Sequence, residues 1–282
     1  MPFPGYYDPT ATQVAASKRP YGGLSSKLWR DVPETVVANN PDGNYARMFS
    51  GADLADFIAL TASGTNDYVT CTEVNNGTTG LKNAIAGATG PVLEMDTAST
   101  TDLDGHQIQF LKMGVTPTDG WDIYFEARIA QTDIGGTTVS SSAELFAGLA
   151  SSDATIMAGT TPTATDWIGF YTALADGAVT FGVGDATTRS VTSSAAHTLV
   201  DLDQVAAVAQ VPSAWVKVGF VLRGTADSGE YYVNGVRGEQ SVTWTSAPDA
   251  VVYPSFVCQS NATTDPITYI NWFKIAQIRS GH

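Results

Sequence analysis

The sequence predicts an all-β protein: a two-sheet antiparallel sandwich with an extended N-terminal arm and one or two short helices. Three observations carry this. Thr outnumbers Lys by 35 to 6, and Thr favours strands where Lys favours helices. Apolar residues alternate with polar ones in a series of short runs, the period of a strand with one face buried. Tight-turn dipeptides, Asp176-Gly177 and Asn234-Gly235, stand beside such runs and mark hairpins.

The elements follow in chain order. Residues 1–50 form the arm, residues 51–90 a connection rich in Gly, Asn and Thr, and residues 91–282 the sandwich. Gly51 to Leu60 reads as a short amphipathic helix with Leu54, Phe57 and Ile58 on one face, and a strand is expected near Tyr68–Glu73. From residue 91 the expected strands are Val92–Asp96, Gln107–Lys112, Trp121–Gln131, Ala143–Ser151, Trp167–Thr172 and Ala178–Gly182. A second short helix is expected at Leu202–Ala209. Trp215–Arg223, Glu230–Val233, Val251–Gln259 and Ile267–Ile278 complete the strands. Trp121, Phe125, Trp215, Phe220 and Phe273 are the expected aromatic core.

Length and charge narrow the function classes. A chain of 282 residues is long enough to bury one large core. Its net charge is −14, and so acidic a surface repels phosphate backbones and anionic lipid. Nucleic acid and membrane are therefore not expected as partners. The opening MPFPGYYDPT lacks the basic and apolar regions of a secretory signal. Cys71 and Cys258 are too few for a disulfide framework or a four-thiolate zinc site, and both are expected as buried thiols.

The charge is unevenly spread. Residues 1–30 hold Lys18, Arg19, Lys27 and Arg30 against Asp8, while the remainder is strongly acidic. The same stretch carries Pro2, Pro4, Pro9 and Pro20 among Tyr6, Tyr7, Tyr21 and Trp29. Prolines at this density keep the backbone extended. Aromatic rings beside cations suit a docking segment, since rings bury large area at little entropic cost. Tyr6, Tyr7, Lys18, Arg19, Tyr21, Lys27, Trp29 and Arg30 are thus the candidate assembly contacts. The competing reading is a strap lying over the chain's own domain.

The order WDIYFEARI, ELFAGLAS, DWIGFYTALADGAVTFGV, AWVKVGFVLRGTADSGEYYVNGVR and ITYINWFKIAQI resembles the concanavalin A-like (laminin G-like) jelly roll. In that family a strand with Trp and alternating apolar residues leads into one ending in Asn-Gly. Here these are Trp215, Val216, Val218, Phe220, Tyr231, Val233, Asn234 and Gly235. The resemblance spans about residues 91–279, and lectins, glycanases, adhesins and viral coat proteins share the fold. With its Pro-rich start, the whole chain is similar in style to tailed-bacteriophage virion proteins of this type. That implies a structural protein decorating or cementing a phage capsid, made in the host cytoplasm and carried on the capsid surface. The major capsid protein or other virion subunits, including further copies of the chain, would be its partners. The alternative is a lectin-like adhesion module of a phage fibre or tail that binds surface glycans.

Catalysis is not expected. Glycanases of this fold align three acidic residues on one strand, whereas Glu94 and Asp96 are followed by Thr97, Ala98, Ser99 and Thr100. Glycoside hydrolysis needs two carboxyl groups at a set separation, so the pair keeps an enzymatic reading open, against a plain solvent-facing strand edge. His106, His197 and His282 accompany no nucleophile elbow. Asp102 and Asp104, beside Gly105, are the only weak candidates for a cation, and an Asp-rich turn needs no ion. No cofactor is expected.

Overall fold

The computed structural model describes residues 24–25, 27–32, 45–50, 64–65, 70–74, 82–83, 93–97, 104–117, 120–133, 144–158, 162–172, 179–184, 189–192, 215–224, 228–238, 242–243, 248–260 and 266–279. Among them every named element is a strand, and every pairing is antiparallel. The helices expected at 51–60 and 202–209 and the Asp176-Gly177 turn lie outside the described residues.

Two sheets form. The first contains β1 (Tyr45–Ser50), β4 (Lys82–Asn83), β5 (Leu93–Asp96), β7 (Trp121–Asp133), β12 (Val216–Arg223), β13 (Ser228–Val233), β14 (Val236–Arg237), β15 (Val242–Thr243) and β17 (Pro266–Arg279). Its order is β14-β13-β12-β7-β17-β5-β4, with β1 also beside β17 and β15 beside β13. The second contains β2 (Gly64–Thr65), β3 (Thr70–Val74), β6 (Gly105–Gln109), β8 (Glu144–Ser151), β9 (Trp167–Thr172), β10 (Val179–Gly184), β11 (Arg189–Thr192) and β16 (Val252–Gln259). Its order is β11-β10-β9-β8-β16-β6-β3-β2. The two sheets therefore draw strands from residue 45 onward. β1 completes the flank of β17 that short β5 leaves open.

Alternation decides what each sheet buries. On β7, Ile123, Phe125, Ala127 and Ile129 join the main core, which leaves Asp122, Tyr124, Glu126 and Arg128 on the outer face. The core is closed by aromatic rings: Phe110, just past β6, meets Phe273 at 4.7 Å, and across the two sheets Phe125 meets Phe256 at 6.3 Å and Phe181 meets Phe220 at 5.6 Å. Phe125, Phe220 and Phe273 are fully buried as expected. Trp121 and Trp215 are less deeply buried. Trp121 opens β7 opposite Arg279, the last residue of β17. Trp215 directly precedes Val216, which faces the core, so the period of two turns Trp215 outward against Ala130 and Tyr269.

Each sheet also has a covered outer face. On the second sheet, Ile156, Met157 and Ala164 of the β8–β9 connection pack on Phe146, Trp167, Tyr171 and Val257. Gln107 and Gln109 clamp that connection from the sheet. Gln107 donates to the Asp153 carbonyl and accepts from the Ile156 amide at 2.7 Å, and Gln109 accepts from the Asp153 amide at 3.1 Å. The Asn234-Gly235 turn behaves as its composition demands: φ is 50° and 78°, a pair that only such residues adopt cheaply.

Candidate functional site

The outer face of the first sheet is where the N-terminal segment meets the sandwich. Residues 24–32 form a compact turn, with the Trp29 amide donating to the Ser25 carbonyl and the Val32 amide to the Trp29 carbonyl, both at 3.1 Å. This turn puts Leu24, Leu28, Trp29 and Val32 against Tyr124, Val221, Tyr232, Ala276 and Ile278. Leu28 is 1% and Trp29 8% exposed, so the segment is an integral layer of the fold.

One carboxylate holds it. Glu126, 1% exposed on β7, accepts the Ser25 amide at 3.0 Å, the Ser25 hydroxyl, and the Trp29 indole Nε1–H at 2.7 Å. A buried carboxylate must be satisfied to be tolerated, and here the donors come from the strap. Burial pushes the Glu126 carboxyl above the ordinary range, against the pull of those hydrogen bonds. The Trp29 ring stacks on Tyr124 at 6.0 Å, and the Lys274 ammonium sits 4.3 Å from its centroid. Burial lowers the Lys274 pKa, with the nearby Glu126 charge opposing that.

Arg223 ties the far end of the segment. Its Nη2 lies 3.2 Å from Asp31 Oδ2, and its Nη1 lies 2.9 Å from Asp122 Oδ2 and 3.0 Å from the Tyr124 hydroxyl. Burial raises the Tyr124 and Tyr232 phenols to about 12 each, helped at Tyr232 by its hydrogen bond to Glu230. These groups hold a peptide in place; the described contacts of Glu126 are to donors that position the strap.

The sequence candidates fare unevenly. Tyr6, Tyr7, Lys18, Arg19 and Tyr21 lie outside the described residues. Lys27 and Arg30 are exposed on the strap, Arg30 pairing with Asp31 at 3.0 Å. Trp29 is packed on the chain's own sheet, the arrangement of a strap lying over its own domain. Glu94 is 7% exposed, opposite Tyr269 of β17 and Lys82 of β4, which corrects the solvent-facing edge. Asp104 is buried with its carbonyl accepting the Ser260 amide at 2.8 Å, and Asp102 lies outside the described residues. Among the described residues, no three His, Cys, Asp or Glu side chains gather to hold a metal ion, and no helix is long and apolar enough to cross a membrane. Cys258 is buried, its thiol 3.6 Å from the Pro266 carbonyl.

Two features escaped sequence reading. Glu126 is one of 28 acidic residues, and only its phase on β7 opposite the inward Phe125 and Ala127 hints at its place. The second is a cluster on the same sheet face. The Arg128 guanidinium lies 4.6 Å from the Trp215 ring centroid and donates to Asn271 Oδ1 at 2.8 Å. Asn271 is available because the β7–β17 register slips between Ile270 and Trp272, a bulge that turns an extra side chain outward.

No protein-family model matches the chain, and no curated protein matches it by sequence. Solved structures resemble it in fold. Arcelin-5, a lectin-like defence protein from Phaseolus vulgaris, shares 9% identity at a TM-score of 0.49, over 83% of this chain and 99% of its own. Peanut lectin shares 12% at 0.46, over 84% and 99%. A carbohydrate esterase from the Shiga toxin-encoding bacteriophage phi24B shares 10% at 0.43, over 74% and 89%. The likeness concerns fold alone. The chain is an all-β sandwich of two antiparallel sheets.

Proposed function

We propose that the chain is a structural protein of a phage particle, displaying its sandwich outward and attached through residues 1–23 to the major capsid protein or another virion subunit. One observation supports this above others: residues 24–32 are clamped to the first sheet through Glu126. A tether needs a firm root, and this clamp gives the preceding 23 residues, with Tyr6, Tyr7, Lys18, Arg19 and Tyr21, a fixed point of departure. The particle surface is its site of action, and it acts there by binding, with no reaction of its own. The test is a truncation. Removing residues 1–23 should leave the melting temperature unchanged and abolish incorporation into particles assembled beside it. Wild-type occupancy by the truncated protein overturns the reading.

A second reading, a glycan-binding adhesion module, is favoured by the half-buried Trp215 with Arg128 and Asn271 beside it. A partly exposed aromatic ring held in place by buried partners, here Arg128 and Asn271, suits stacking on a sugar ring. Trp215→Ala should then abolish retention on a glycan array that retains the wild type.

A further inference from the structure

We propose that the partly exposed ring of Trp215 is the seat of an acidic sugar, one that carries a carboxylate or a sulfate. This rests on the glycan-binding reading and adds to it the charge of the ligand. A pair of cations points to that charge. Lys217 stands directly opposite Arg128 in the β12–β7 register. Val216 and Val218, like Ala127 and Ile129, face the core, so both cations belong to the outer face. Trp215, two residues before Lys217, shares that face. Like charges directly opposite one another destabilise a sheet. With 14 Lys and Arg against 28 Asp and Glu, composition does not force this pairing. An anionic group on a ligand turns the repulsion into attraction.

The way the ring is held supports the same ligand. The Arg128 guanidinium lies over the ring at 4.6 Å, and Arg128 itself is 5% exposed. A cation on one face draws on the ring's negative potential, which leaves the ring a better seat for an anionic ligand than for a cationic one. Arg128 is thus a positioning residue, and the partly exposed Lys217 is the cation that meets the ligand. The Trp215 Nε1–H is buried and makes no hydrogen bond among the described residues, so Trp215 is held there for its ring. Lys217 projects from a fixed backbone: its amide donates to Asn234 Oδ1 at 2.9 Å, and its carbonyl accepts the Asn234 amide at 2.7 Å. Glu126, the next outward residue on β7, already accepts donors from Ser25 and Trp29. The net charge of −14 acts on a ligand here only weakly, since exposed charges beyond about 8 Å are screened at physiological salt.

The test applies the full chain to an array that pairs glycans ending in glucuronate, N-acetylneuraminate or galactose 6-sulfate with their neutral counterparts. Retention should be roughly tenfold higher on the acidic member of a pair that binds, the effect of one hydrogen bond to a charged group. The carboxylate and sulfate pairs separate the two anions. Lys217→Gln should erase the preference and Lys217→Arg should keep it, both at the wild-type melting temperature. Raised salt should erode the preference of the wild type in the same way. Trp215→Ala should abolish retention altogether. Equal retention on neutral and acidic members, or a preference that survives Lys217→Gln, overturns the acidic ligand and leaves the glycan-binding reading standing. Retention on no member overturns both.

Discussion

The indole of Trp29 donates to the carboxylate of Glu126 at 2.7 Å, across 97 residues of sequence. This bond joins a segment rich in Pro and aromatic residues to the middle of a central strand. It turns a charge that a sheet face would otherwise leave to solvent into the anchor of a structural layer. Burial makes the bond strong and its loss expensive.

Glu126→Ala should free the strap. Hydrogen bonds to a charged group contribute about 1.5–3 kcal/mol each, and the desolvation of Glu126 offsets part of this. A net loss of about 2 kcal/mol in urea unfolding is expected, with faster tryptic cleavage after Lys27 and Arg30, which are exposed already. Unchanged cleavage would show that the strap is held by its apolar contacts alone.

The pH dependence of the same site has a definite sign. Burial raises the Glu126 pKa above its ordinary 4.5, so the folded state binds that proton more tightly than the unfolded chain does. Its contribution is fully present below pH 4.5 and is lost as pH rises through the raised folded value. Glu126→Gln stays neutral and escapes this loss. The stability difference should shift in favour of Glu126→Gln as pH rises from about 4.5 toward neutrality; a flat difference contradicts the assignment.

At alkaline pH the two buried phenols dominate. Tyr124 and Tyr232 ionise near 12 instead of 10, so their contribution is present below pH 10 and fades as pH rises through about 12. Phenolate absorbance should rise late, and Tyr124→Phe with Tyr232→Phe should remove that late fraction.

Gly184 lies under Trp167. A Cβ there would stand 2.2 Å from the indole nitrogen, and Trp167 is itself locked by Phe146 and Tyr171 at 6.3 and 5.5 Å. Gly184→Ala should cost about 1–3 kcal/mol by overpacking, with a shift in tryptophan emission. Neutral stability with an unshifted spectrum would mean the ring has room to move.

Phe273 tests the core. It touches Phe110, Phe256 and Phe125 at centroid distances of 4.7, 5.5 and 6.4 Å. Phe273→Ala should cost about 3–5 kcal/mol in reversible urea unfolding, and a loss below 1 kcal/mol would show that the sandwich collapses around the gap.

The strands were legible where their sequence pattern is local. Ile123, Phe125, Ala127 and Ile129 alternate on β7, and a period of two can be read without knowing the partner. The same rule, applied strictly, would have turned Trp215 outward, since Val216 and Val218 take the core positions. β1 was missed because its reason is distant: it pairs with residues 272–277 of β17. The Asn271 bulge was missed for the same cause, as a slip in register belongs to two strands together.

By itself, then, the sequence determined the all-β class, the phase of Ile123 to Ile129 on β7 and the Asn234-Gly235 turn. Each of these depends on neighbours a few residues apart. Only the tertiary structure decided that Trp29 belongs to the sandwich, that Glu126 holds it, and that Arg128 meets Trp215 and Asn271. The physical reason is that these contacts join groups 87 to 143 residues apart in the chain. A ring or a carboxylate carries the same composition whether it meets water, its own sheet or another molecule, and burial by a distant element settles which.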